Sequence, residues 1–218
     1  MRLYKRHSLL TYHFYLCKIN KNNEVIAMSE IINEHIRPRY EIIEGVKNFM
    51  APSPTSEHGS IVGNLIIIFG NYFWLNDKGR VFGDNIDVHL PDGNLFMPDV
   101  SVVCDRSIIR KHGTIYGTPD LIVEVLSRST MNNDFGIKKQ VYERNGVKEY
   151  WIIEPYQKWV QVYHLIDGVL ILDNVYQIYS PYEFAQLKAD ERANVKSHIK
   201  VSIFDDLIIN VYDIFKWV

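Results

Sequence analysis

The stretch that decides the fold runs from Pro119 to Lys138 and reads PDLIVEVLSRSTMNNDFGIK. Leu121–Leu126 is apolar apart from one carboxylate, Glu124, so the run predicts a short central strand buried on both faces. Ser127–Asn133 is a polar loop, and Asn133 or Asp134 then predicts the cap of a helix. That helix sets Ile137, Val141 and Tyr142 on one face and stops at Asn145-Gly146. Upstream, Met97–Val103 is a second apolar strand interrupted by a carboxylate, Asp99. Two acids on neighbouring apolar strands, with Lys138 one turn into the following helix, make this the chemical centre of the chain.

The flanking segments predict elements that enclose this centre. Tyr40–Met50 alternates apolar and polar residues, a strand pattern that carries Glu41 and Glu44 and turns near Gly45. Ala51–Ser56 is a rigid proline loop ending in hydroxyls that can cap a helix. From Glu57 to about Leu75, Ile61, Leu65, Ile68, Phe69 and Phe73 fall at helical spacing, and Asn76–Gly79 ends the helix. Val81–Leu90 reads as a strand, Pro91–Asn94 as a hairpin turn, and Met97–Asp105 as the antiparallel partner. Arg106–His112 predicts a short helix. Downstream, Glu149–Glu154, Trp159–Leu165 and Gly168–Tyr179 form a strand meander, and Val201–Phe215 is an apolar segment expected to close one edge. The expected class is α/β in a single domain over residues 28–218. Met1–Ala27 is either a basic, aromatic arm or the product of a start codon placed upstream of Met28.

Composition narrows the function. A net charge of −2 supplies no global basic field, which argues against a protein that coats nucleic acid but leaves room for local chemistry at a phosphate. Two cysteines, Cys17 and Cys104, support neither a disulfide framework nor a thiolate metal site, and Cys104 reads as a small buried hydrophobe. The greasiest run, Ile61–Phe69, is far too short to span a membrane, so no membrane partner and a cytoplasmic location are the expectations. No glycine-rich phosphate loop, Gly-x-Ser-x-Gly elbow or His-Glu-x-x-His motif occurs.

Asp99, Glu124 and Lys138 are the types that metal-assisted phosphodiester hydrolysis requires. Hard oxygens hold Mg²⁺, which takes only one or two protein carboxylates, and a lysine orients water or stabilises developing charge. A carboxylate between Val123 and Val125 is costly to bury unless paired or metal-bound. A plain structural reading stands beside this one, in which Asp99 caps a strand and Glu124 pairs with a buried base. Glu44, Glu57 and His58 are further candidates; Asp120 shares the parity of Glu124 but stands at the strand start, where a turn role fits. Ser127, Ser129 and Thr130 lead into a helix N-terminus, either an anion site or an ordinary capped loop.

These motifs, in this order, resemble the PD-(D/E)XK nuclease superfamily, and within it the Uma-type group of restriction-endonuclease-like proteins. The matching stretches are Tyr40–Gly45, His58 with its helix, Leu90–Gly93 running into Met97–Val100, Pro119–Ser127, Asp134 through Lys138 to Tyr142, and Gly146–Trp151. The resemblance implies a restriction-endonuclease-like mixed sheet flanked by helices, with the meander as an antiparallel extension. It implies Mg²⁺-dependent (or Mn²⁺-dependent) cleavage of DNA, with Asp99 and Glu124 as metal-holding acids. The lysine expected two residues after the second acid is replaced by Leu126, and Lys138 is the substitute reaching in from the next helix. Arg128 stands where relatives place proline. Two nicks on a duplex need two sites, which a homodimer would supply. A silent nuclease-like module that binds nucleic acid or a protein partner is the alternative.

Overall fold

The computed structural model describes residues 18–19, 25–26, 39–49, 55–84, 86–110, 113–127 and 131–218. The expected arm or alternative start over Met1–Met28, the Ala51–Pro54 loop, His112 and Arg128–Thr130 lie outside these or fall on them only in fragments. By internal contacts the chain divides into residues 1–39 and 40–218. In the first unit β1 (Lys18–Ile19) pairs antiparallel with β2 (Val25–Ile26).

The second unit is built on two sheets. One places β3 (Tyr40–Ile43) between β4 (Val46–Phe49) and β7 (Leu95–Phe96), and continues through β6 (Val88–His89) to β9 (Ile115–Tyr116). The other has the order β13-β12-β11-β10-β8-β5, from β5 (Arg80–Gly83) and β8 (Val100–Val103) through β10 (Leu121–Val125) and β11 (Glu149–Glu154) to β12 (Trp159–Ile166) and β13 (Val169–Gln177). β10 and β11 are parallel; the other neighbours in this sheet are antiparallel. The fold is therefore α/β, a mixed sheet flanked by helices with an antiparallel meander, as the sequence indicated.

Helix α1 (Ser56–Asn76) is capped by Thr55, whose side chain accepts from the His58 amide, and ends where Asp77 takes a left-handed φ of 51°. Between β10 and β11 the crossover carries α2 (Met131–Asn133), a π-helical turn (Asp134–Lys138) and α3 (Lys139–Arg144). The expected cap at Asn133 or Asp134 is not what forms. Asn133 is already helical and makes no side-chain cap hydrogen bond, because the helix begins at Met131. Further on come α4 (Pro181–Gln186), α5 (Ala189–Asn194), the hairpin β14 (His198–Lys200) with β15 (Ile208–Asn210), and α6 (Val211–Ile214).

Strand parity divides the core. Leu121, Val123 and Val125 of β10, with Trp151 and Ile153 of β11, face Ile61, Leu65, Phe69 and Phe73 of α1. Ile122, Tyr150 and Ile152 belong to the opposite face with Phe96, Val141 and Tyr142. Full burial of each large apolar side chain stabilises by roughly 1.5–3 kcal/mol. Phe69 and Trp151, with ring centroids 6.0 Å apart, join α1 to the sheet.

Three expectations are corrected. Val81–Leu90 is not one strand: β5 joins the large sheet and β6 the other, with Asp84 in a turn between them. The hairpin partner of β6 is β7, while β8 pairs antiparallel with β5 as expected but begins only at Val100, so Asp99 stands at the mouth of the strand rather than within it. Val201–Phe215 closes no edge of the large sheet; its Val201, Phe204, Ile209 and Ile214 pack into the α1 face of the core.

Candidate active site

Glu124 has the parity of Ile122, so its carboxylate enters the core face that Tyr142 and Phe96 line, and it is 3% exposed. Its Oε1 accepts a 2.7 Å hydrogen bond from the Tyr142 hydroxyl and lies 3.2 Å from Lys138 Nζ. Lys138 and Tyr142 are four residues apart, as are Asp134 and Lys138, so one helical face presents all three side chains to β10. The Lys138 ammonium is also 3.0 Å from Glu41 Oε1 and 3.5 Å from Asp134 Oδ1. Glu41 comes from β3 of the other sheet and accepts the Met97 amide at 3.3 Å. Tyr150 donates to the Asp134 carbonyl at 3.0 Å. Buried polar groups need such partners, and these three acids have them in one another's company around one lysine.

Asp99 borders the cluster. Its Oδ2 accepts the Val125 amide at 2.7 Å, which ties it to the residue after Glu124. Its Oδ1 lies 3.1 Å from His58 Nε2, in the first turn of α1. Asp99 thus joins the strand that carries the second acid to the helix that covers the sheet.

Acids outnumber bases here, and the titration behaviour follows. Burial opposes charge on Lys138, but Glu124, Glu41 and Asp134 outweigh it and hold the ammonium protonated well beyond the usual lysine range. Burial pushes the Glu124 carboxyl well above the carboxylate range; Lys138 opposes this, while Asp134, Asp99 and Glu41 reinforce it. For His58, burial pulls the imidazole down, yet the Asp99 hydrogen bond and charge, with Asp84 and Asp134, leave it raised. Burial, then Glu124, keeps the Tyr142 hydroxyl protonated and therefore a donor.

The structure brings Glu124 and Lys138 into contact, sets Asp99 beside them and seats His58 on Asp99. It does not bring Glu44 or Asp120 to that lysine. Glu44 sits in the β3–β4 turn at a φ of 51°, and its carboxylate contacts Arg144. Asp120 accepts the Cys104 amide at 2.8 Å and pairs with Lys148 at 2.7 Å, the turn role its position suggested. Glu57 stays at the start of α1, hydrogen-bonded to Ser56 at 3.1 Å. Cys104 is half-buried rather than buried. Glu41, Asp134 and the Tyr142 hydroxyl were not picked out as site groups by sequence reasoning. The available signals were the parity of Glu41 with Ile43 and the four-residue spacings from Asp134 to Lys138 and from Lys138 to Tyr142.

A family model described as Uma2, putative restriction endonuclease, matches residues 26–189. The chain belongs to the Uma2 family. An uncharacterized protein from Synechocystis sp. is 30% identical over 138 residues, spanning 62% of this chain and 70% of its own length. A crystal structure titled as a putative nuclease belonging to DUF820, from Anabaena variabilis, superposes with a TM-score of 0.63 at 20% identity, covering 83% of this chain and 91% of that one. At that identity the likeness speaks for the fold alone. The Uma2 membership agrees with the resemblance drawn from the ordered motifs around Asp99 and Glu124. Among the described residues no helix is long and apolar enough to cross a membrane.

Proposed function

We propose that this Uma2 protein is a Mg²⁺-dependent DNA endonuclease in which Asp99 and Glu124 hold the metal and Lys138 assists. The observation that carries this reading is the buried group of Glu124, Glu41 and Asp134 around Lys138, with Asp99 one hydrogen bond away through the Val125 amide.

The donor set fits a hard divalent cation. All candidate ligands are carboxylate oxygens, and one lysine stands among Glu124, Glu41 and Asp134. Among the described residues no group of three or more His, Cys, Asp or Glu is arranged to hold a metal ion, and Glu41, Glu124 and Asp134 converge on the Lys138 ammonium instead. Mg²⁺ keeps much of its water and takes only one or two protein carboxylates, the number that Asp99 and Glu124 would supply. Bound there, the ion would polarise a phosphoryl oxygen and lower the pKa of its water.

The protein's own groups supply the rest. Lys138, held charged by its acids, offers a fixed positive donor for developing negative charge. Tyr142 fixes one oxygen of Glu124 and so its rotamer. His58 does the same for Asp99 from α1. Strand and helix positions hold Glu124, Lys138, Tyr142 and His58, and Asp99 is fixed at the mouth of β8 by the Val125 amide and His58, which favours a reproducible geometry.

A silent module is the second reading, and one observation favours it. Glu124 Oε1 is already shared by Tyr142 and Lys138, and Leu126, where the superfamily pattern has lysine, is buried in the apolar core. The assay that separates the two uses purified full-length protein, supercoiled and single-stranded DNA, and Mg²⁺ or Mn²⁺. Metal-dependent cleavage supports the endonuclease. DNA or partner binding with neither cleavage nor calorimetric metal binding supports the module.

A further inference from the structure

We infer that Glu41 is a positioning residue: it keeps the Lys138 ammonium in place once Glu124 has committed its charge to a cation, and it fixes that ammonium relative to the segment carrying Asp99. The inference rests on the proposed metal chemistry and adds to it a residue from the second sheet. Lys138 is buried, and a buried ammonium that loses its counter-charge is strongly destabilised. Three carboxylates reach it, and they are not equivalent. Glu124 Oε1, at 3.2 Å, belongs to a metal-holding acid, so a cation bound there takes up that charge and repels the ammonium. Asp134 Oδ1 is the most distant at 3.5 Å and shares a π-helical turn with Lys138, so it moves with the lysine and cannot fix it against the strands. Glu41 Oε1 is the nearest at 3.0 Å, comes from β3 and has no part in the proposed metal pair.

The same Glu41 oxygen accepts the Met97 amide at 3.3 Å, two residues before Asp99. One atom therefore touches both the lysine and the segment that delivers the first acid. The backbone supports this link, because Ile42 of β3 pairs with Leu95 of β7, the strand that leads into Met97 and Asp99. Phe96, between them, sets its ring centroid 5.6 Å from the Lys138 ammonium. Glu41 is itself buried on a paired strand, so its carboxylate has little freedom to follow a lysine that drifts. It thus sets the spacing between Asp99 and Lys138, and a displacement of about 1 Å in such a spacing costs on the order of 100-fold in rate. Glu41→Gln isolates the charge from the shape, since the amide oxygen still accepts the Met97 N–H.

The test follows the Lys138 ammonium in the metal-free full chain, by a proton–nitrogen correlation spectrum of the lysine side chains. Exposed ammonium protons exchange with water too fast to be seen, and the Lys138 resonance is assigned by its absence in Lys138→Arg. Glu124→Gln, which removes the charge that a cation would take up, should keep the resonance. Adding Glu41→Gln should abolish it, whereas adding Glu41→Asp should not, with circular dichroism showing each variant folded. Loss in Glu124→Gln alone, or retention in the double variant with Glu41→Gln, would overturn the inference. The single Glu41→Gln variant supplies a second arm: kcat for DNA cleavage in Mg²⁺ should fall about 100-fold, with KM for DNA and calorimetric Mg²⁺ affinity unchanged. Weakened Mg²⁺ affinity would make Glu41 a metal ligand, and an unchanged kcat would make its pair with Lys138 purely structural; either overturns the inference. A wild type that cleaves no DNA would sink the nuclease reading, and the spectra would still decide what holds the ammonium.

Discussion

Lys138 Nζ lies 3.2 Å from Glu124 Oε1 across fourteen residues of chain, and both side chains are almost wholly buried. Such a pair is poor evidence for stability in itself, because taking two charges out of water costs several kcal/mol per ion. Its worth lies in what happens when one partner is removed. Lys138→Met leaves Glu124, Glu41 and Asp134 buried without a counter-charge, and should lose about 3–5 kcal/mol in chemical denaturation at neutral pH. The loss should shrink as pH falls, because Glu124, whose folded pKa is raised, then takes up a proton in the folded state. A loss independent of pH would contradict the charge argument.

Tyr142→Phe deletes one donor to Glu124 and nothing else of the ring, which packs edge-on to Phe96 at 5.2 Å. The expected cost is about 1–3 kcal/mol in stability, the price of an under-satisfied buried acceptor. Nuclease activity should fall with little change in DNA affinity, because the residue holds Glu124 and touches no phosphate. Loss of DNA binding in gel shift, with cleavage per bound complex intact, would assign Tyr142 a different role.

His58 gives the fold a pH signature. Its folded pKa is raised by Asp99, so the contribution of the His58–Asp99 pair is fully present below the unfolded value near 6.5 and is lost as pH rises through the folded value. The melting temperatures of wild type and His58→Gln should therefore lie furthest apart below about pH 6.5 and converge as the pH rises above the folded value. A gap that widens with pH would mean that His58 is neutral in the fold and that the link to Asp99 is a plain hydrogen bond.

Cys104 should be inert. Burial, then the charge of Asp120, pushes its thiol up to about 12. At pH 7.5 the thiolate fraction is then on the order of one in ten thousand or less. Iodoacetamide followed by peptide mapping should leave Cys104 unlabelled in the native protein and label it in denaturant. Rapid native labelling would contradict the placement of Cys104 beside Asp120.

Much of the fold was legible because local signals and tertiary packing agree. β10 reads as buried because Leu121–Val125 has no outward polar alternation, and it sits between β8 and β11. α1 was legible from the spacing of Ile61, Leu65, Phe69 and Phe73, all of which are buried. The two-strand split of Val81–Leu90 was not, because nothing in an alternating run marks where a strand leaves one sheet for another.

The site was legible by residue type at Asp99, Glu124 and Lys138, since charged residues in apolar strands stand out. Glu41 did not stand out. Its neighbour Glu44 has the same chemistry, and only the approach of β3 to the helix carrying Lys138 separates the buried acid from the one in the turn. Asp134 looked like a helix cap because the residues before it are polar. The helix starts earlier, which turns the same carboxylate inward.

The most direct test of the central claim is cleavage of supercoiled plasmid DNA by the full-length protein with and without Mg²⁺, run beside Asp99→Ala and Glu124→Ala. The expected result is nicking that requires the metal and falls by about 100-fold or more in each variant, as for loss of a group that acts on the transition state. Metal-dependent cleavage that survives Glu124→Ala would contradict the assignment of the site.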